Sequence, residues 1–190
     1  MAIDVMSRRF SVENFERMAA VGILGPDERV ELLEGVVVPM TPVGDRHVGR
    51  VNFLGARLTV ALHPRAIVQV QSAIRLAAHW MPLPDLAVLR HRADYYETGK
   101  ARAADILLVI EIADTSVARD RDLKLPAYGR AGIPEAWVVD LESQVVLLAR
   151  DPDADGYRSL LPLRRGSSVN VPGFPDVTLT VDEILGPTRP

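Results

Sequence analysis

The 190-residue sequence contains no cysteine, which excludes disulfides and thiolate chemistry and leaves any bound metal to oxygen or imidazole donors. No apolar run approaches the roughly 20 residues that cross a bilayer as a helix. The opening stretch "MAIDVMSRRF" lacks the basic-then-apolar pattern of a secretory leader, so a cytoplasmic location is expected. GxxxxGK[ST], GxGxxG, GxSxG and HExxH are also missing, which removes the familiar nucleotide-binding, serine-hydrolase and zinc-peptidase signatures. The four histidines, His47, His63, His79 and His91, are scattered without ligand spacing. There is no internal repeat, low-complexity tract or long linker. A net charge of −3 argues against a surface that grips nucleic acid all over, yet it allows a local basic cleft.

What is present is ordinary globular composition, 48% apolar and 25% charged, in a chain long enough for one domain with a sizeable core. "SVENFERMAAVGIL" places Phe15, Met18 and Ala19 at helical spacing behind a Ser11 N-cap. "RVELLEGVVVPM" reads as a hairpin turning at Glu34-Gly35. From Asp45, the residues Val48, Val51, Leu58 and Leu62 share one helical face, ended by His63-Pro64. "AIVQVQSAIRL" and "PDLAVLR" read as strands, residues 91–104 as a loop with a helical turn, and "DILLVIEIA" as a central strand covered on both faces. A helix over 117–131 should follow, kinked at Pro126 and closed by Gly132. Two further strands, "EAWVVDL" and "QVVLLAR", precede a tail of short strands and one last short helix. The pattern predicts an α/β fold, a mixed sheet flanked by helices.

Acidic residues on the strands carry the chemical information. Asp85 opens "PDLAVLR" directly after a proline, and Glu111 sits inside "VIEIA" with Val109 and Ala113 as neighbours on its face. A lone carboxylate in such a run costs several kcal/mol unless it is paired, protonated or metal-bound. Two carboxylates converging from adjacent strands suit a hard cation such as Mg²⁺ or Mn²⁺. The alternative is an Asp85 that only shapes a turn and a Glu111 ion-paired with an arginine. Periodicity alone leaves both open. On the helix after Glu111, Arg121, Lys124 and Tyr128 share a face. There Lys124 either orients a water or steadies a phosphate, or it is a solvated lysine paired with Asp120.

"LLVIEIADTSVARDRDLKLPAYGRAGIPEAWVVDLE", with "PLPDLAVLR", "RAIVQVQSAIRL" and "RVELLEGVVVPMTPVGDRH" before it, resembles the Uma2 family (DUF820), bacterial chains assigned as restriction endonucleases of the PD-(D/E)xK superfamily. The resemblance runs from about residue 10 to 186 and implies one restriction-endonuclease-like domain filling 1–190. It implies Mg²⁺- or Mn²⁺-dependent hydrolysis of DNA phosphodiester bonds by a metal-activated water. Asp85 would be the Asp of "PD", Glu111 the acidic residue of "(D/E)xK", and Glu34 an early acidic residue completing the metal shell. The superfamily lysine is due two residues after Glu111, where Ala113 stands instead, so Lys124 becomes its substitute. His47, Gln71 and Tyr128 are supporting candidates around that site. Arg46, Arg50, Arg90, Arg92, Arg119 and Arg121 are cations near the motifs. DNA is the implied partner and a homodimer the expected assembly. The rival expectation is a nuclease-fold chain that binds nucleic acid or protein without cutting.

Overall fold

The computed structural model describes residues 8–40, 44–114 and 120–188. Helix α1 (Val12–Ala20) begins where expected, because Asn14 N–H donates to Ser11 Oγ at 3.2 Å and the Asn14 side chain accepts from Ser11 N–H. Its Val12 and Phe15 pack on Leu32 and Met81. Strands β1 (Val30–Leu33) and β2 (Val36–Pro39) form the expected antiparallel hairpin. Glu34 and Gly35, with φ of 49° and 76°, make its turn, the left-handed pair that a tight hairpin requires.

Six strands make the main sheet, in the order β3 (Ala66–Val70), β4 (Leu86–Arg90), β5 (Ile106–Ala113), β6 (Glu135–Asp140), β7 (Val145–Pro152) and β8 (Tyr157–Leu163). All neighbours are antiparallel except β5 and β6, which are parallel. The sheet is therefore mixed, as predicted. Strand alternation sorts its residues onto two buried faces. Leu86, Val88, Leu108, Ile110, Ile112 and Trp137 meet the 18-residue helix α2 (Asp45–Leu62) and the C-terminal elements. Those elements are β9 (Ser168–Val171), β10 (Phe174–Thr180) and α4 (Val181–Leu185). Ala87, Leu89, Val109, Ala113 and Val138 meet Leu125 and Tyr128 on the other face. Helix α2 buries His47, Val51, Leu54, Gly55, Leu58 and Leu62, whereas Val48 is exposed. The expected face is thus rotated by one position at its start, where His47 rather than Val48 turns inward.

The helix expected over 117–131 lies partly outside the described residues and is otherwise two segments. A π-helical turn, Asp120–Lys124, runs directly into α3 (Leu125–Arg130). Pro126 has no N–H for the carbonyl of residue 122 and its ring crowds that turn, so the chain widens there instead of bending as one helix. The wider turn buries Asp120 and Lys124 and leaves Arg121 in solvent, paired with Asp122 at 2.7 Å. The predicted shared face of Arg121, Lys124 and Tyr128 is accordingly corrected to Lys124 and Tyr128 alone.

Candidate active site

In the antiparallel register of β4 and β5, Leu86 stands opposite Ile110; Asp85 directly precedes Leu86, and Glu111 directly follows Ile110. Pro84 delivers Asp85 just before the strand begins, and the carboxylate is held by three donors. Its Oδ2 accepts from Ile112 N–H at 2.8 Å and from His47 Nε2 at 2.9 Å, and its Oδ1 accepts from Gln71 Nε2 at 3.2 Å. The position of His47 in the first turn of α2 and that of Gln71 just past β3 bring three elements onto one carboxylate. His47 Nδ1 is buried with no hydrogen-bond partner among the described residues.

Glu111 lies on the face covered by α3. Tyr128 donates its hydroxyl to Glu111 Oε1 at 2.5 Å, and Lys124 Nζ stands 3.3 Å from the same oxygen. The ammonium also reaches Glu31 Oε2 at 3.0 Å and Asp120 Oδ1 at 3.7 Å. Glu31 in turn accepts from Leu83 N–H at 3.0 Å, tying β1 to the segment that ends at Asp85. Three buried carboxylates, Glu31, Glu111 and Asp120, therefore surround one buried ammonium, and Asp85 is a fourth buried carboxylate.

That imbalance sets the electrostatics. Burial pushes the Glu111 carboxyl well above its usual range, Lys124 opposes the shift, and Asp120, Asp85 and Glu31 add to it. Burial works to discharge Lys124, but Glu111, Glu31 and Asp120 together override it and raise its pKa, keeping the ammonium charged. Tyr128 is likewise held neutral by burial and by the adjacent Glu111. A carboxyl whose folded pKa lies above its unfolded value of 4.5 stabilises the fold only while it is protonated. Its contribution is complete below the unfolded pKa and is lost as pH rises through the folded one. Glu111→Gln should thus melt no lower than the parent at pH 7–8, because Lys124 keeps Glu31 and Asp120 as partners. Any advantage should shrink towards pH 4. A thermal melt in which the variant is clearly weaker at pH 8 would contradict this.

Six of the sequence-predicted residues, Asp85, Glu111, Lys124, His47, Gln71 and Tyr128, come together in these contacts. Glu34 does not. It occupies the hairpin turn, its side chain is 44% exposed, and it pairs with Arg9 at 3.2 Å. The early acidic residue that reaches Lys124 is instead Glu31, on the strand itself, and Asp120, expected only as the partner of a solvated Lys124, pairs with it in a buried setting. The signal for Glu31 was available: like Glu111, it interrupts an apolar strand, in "VELL". Ala113 is fully buried against α3, so the place where the superfamily lysine was due is occupied by core packing. Among the predicted cations, Arg92 is paired with Asp94 and Arg46 approaches Asp114 at 3.9 Å. Arg119 lies outside the described residues.

The donor set fits a hard divalent cation. It offers carboxylate oxygens from adjacent strands and no sulfur, and it carries more negative charge than Lys124 can neutralise. Among the described residues, no three acidic or histidine side chains surround a single ion position.

No curated protein matches the chain. Among solved structures it is similar to the crystal structure of a "putative nuclease belonging to DUF820" from Anabaena variabilis. The two share 16% identity over 93% of this chain and 97% of that one, with a TM-score of 0.74, which establishes a common fold. Among the described residues no helix is long and apolar enough to cross a membrane. The model of the Uma2 family, described as "putative restriction endonuclease", matches residues 12–182, which takes in the hairpin, the sheet and every carboxylate of the cluster, and the chain belongs to that family.

Proposed function

We propose that this chain is a Mg²⁺- or Mn²⁺-dependent endonuclease that hydrolyses phosphodiester bonds in DNA. The observation that carries the reading is that Asp85 and Glu111 flank the Leu86–Ile110 pair of β4 and β5 and are both buried, with the buried ammonium of Lys124 at 3.3 Å from Glu111. Asp85 and Glu111 would hold the ion, with Glu31 close enough to Lys124 to complete the surrounding charge. When bound, the ion lowers the pKa of water and offsets charge on the phosphate. The protein's own groups supply orientation. Ile112 N–H, His47 and Gln71 fix the Asp85 carboxylate, and Tyr128 fixes one oxygen of Glu111, so neither needs to reorganise when substrate arrives. Lys124, kept charged by its three carboxylates, is the cation available to a phosphate oxygen or an attacking water. Cutting both strands of a duplex with one such site per chain calls for a two-fold pair.

A second reading has its own observation. Lys124 is enclosed by three carboxylates and Asp85 by three donors, a closed network that also suits a binding or assembly module. Calorimetric titration with Mn²⁺ separates the two. Binding to the parent that disappears in Asp85→Asn supports the nuclease. An unchanged heat in the variant, or no heat in either protein, supports the module.

A further inference from the structure

We infer that the cleft along the outer edge of β3 takes an unpaired nucleotide of the substrate strand beside the Asp85–Glu111 site, an inference that rests on the nuclease reading. β3 ends the six-stranded sheet, so among the described residues its outer N–H and C=O groups face no further strand. A cleft of about 580 Å³ follows that edge, lined by Val68, Val70, Ser72, Tyr95, Tyr96 and Lys100. This is within the size range of small-ligand sites. Gln71 lies between two of the lining residues, and its amide holds Asp85. The cleft and the candidate active site are therefore joined by a single residue.

The opposite wall is built at a conformational cost. Tyr95 and Tyr96 have φ of 47° and 66°, and Gln71, at the end of β3, has φ of 43°. Left-handed backbone at non-glycine residues persists only where its surroundings enforce it, and such residues gather at functional sites. Here Asp94 does the enforcing, accepting from Arg92, Tyr96 N–H and Thr98. Tyr96 is anchored as well, through its hydroxyl to the Arg90 carbonyl at 2.9 Å and beneath the Arg92 guanidinium at 3.9 Å. Tyr95 is left 57% exposed, with its ring edge-on to His91 at 6.1 Å between centroids. The loop thus holds an aromatic ring out beside the edge of β3, which meets no further strand among the described residues and whose Val70 carbonyl accepts from Ser72 Oγ at 3.2 Å.

Those parts match the recognition of a single-stranded nucleotide. An aromatic face stacks a base, backbone groups meet the base edge, and an ammonium meets the phosphate. The ammonium is that of Lys100, half-exposed and shared with Glu16 at 2.9 Å. Glu97 is the one carboxylate in the lining. A base inside a duplex presents no free face to Tyr95, so the cleft selects for an unpaired strand.

The test uses the full chain in EDTA, so that binding is read without cleavage. Fluorescence anisotropy follows a fluorescein-labelled twelve-nucleotide oligothymidine and a twelve-base-pair duplex. Tyr95→Ala should weaken single-strand binding between about 5-fold and about 150-fold and change duplex binding less than twofold, while Tyr95→Trp retains single-strand binding. Equal single-strand affinity in parent and Tyr95→Ala overturns the inference, and so does an equal loss on both probes or no single-strand binding by the parent. Light scattering in which Tyr95→Ala turns a dimer into a monomer assigns the cleft to a second copy and overturns it as well. A parent that binds the single strand through Tyr95 but cuts nothing sinks the nuclease reading alone. A parent that cuts, with Tyr95→Ala binding unchanged, sinks this inference alone.

Discussion

Glu111→Gln is expected to slow metal-dependent cleavage of supercoiled DNA by about 10³-fold, and Asp85→Asn by at least as much. A metal ion supplies several kcal/mol of charge stabilisation in such a reaction, and about 4 kcal/mol corresponds to ~10³ in rate. Each substitution removes one of the two carboxyl groups proposed to hold the ion. The variants should differ in stability. The amide introduced by Glu111→Gln still offers a carbonyl oxygen to the Tyr128 hydroxyl, so the fold is kept. The amide introduced by Asp85→Asn offers one acceptor oxygen where the carboxylate served Ile112 N–H, His47 and Gln71. That second variant should therefore be weaker by about 1–3 kcal/mol. Plasmid cleavage assays beside thermal melts separate these outcomes. Activity within tenfold of the parent in both variants would remove the two carboxylates from the site.

Lys124→Met should lose both cleavage and stability. The ammonium lies among Glu31, Glu111 and Asp120 and is almost fully buried. Breaking a buried pair by removing one partner costs about 3–5 kcal/mol, or a fall in Tm of roughly 6–20 °C for a chain of this size. Without the lysine, the opposing influence on Glu111 disappears and its folded pKa rises further. A carboxyl with a raised folded pKa stabilises below its unfolded pKa of 4.5 and loses that contribution as pH rises. The deficit of Lys124→Met should accordingly be largest near pH 8 and smallest near pH 4, where protons take over the role of the ammonium. Lys124→Arg keeps the charge and should recover stability more than activity, because a guanidinium is broader and differently directed. Equal melting of the parent and Lys124→Met at pH 8 would show that the ammonium does not balance the carboxylates.

The elements that were legible in the sequence are those whose signals are local. Ser11 ahead of Phe15, Met18 and Ala19 at helical spacing marked the start of α1, and the near-continuous apolar run 106–113 marked a strand covered on both faces. Glu34-Gly35 marked a turn because both conformations there are left-handed. Glu111 stood out because a carboxylate in an apolar strand has to be neutralised by something. The same test applied to Glu31 would have found it. The resemblance favoured Glu34 instead, although a turn residue points away from the strand faces. The break at Lys124 was less accessible. Pro126 announced a disturbance, but whether the chain bends or widens depends on what the turn packs against.

Local pattern was enough for a mixed α/β fold and for marking Glu111 as a charge in an apolar run that needs a partner, since both are properties of neighbouring residues. The pairing of Asp85 with Glu111 came from the family resemblance. Tertiary structure alone decided that Lys124 is the buried cation rather than a solvated one. It also decided that Glu31 and Asp120 share that cation, and that His47 and Gln71 hold Asp85. Those contacts join β1, β3, β5, α2 and the π-helical turn, segments up to 93 positions apart between Glu31 and Lys124. Local pattern carries no information about which of several distant charges will meet. That choice is made when the two faces of the sheet are covered, because only partners inside the same water-poor space can offset the cost of burying one another.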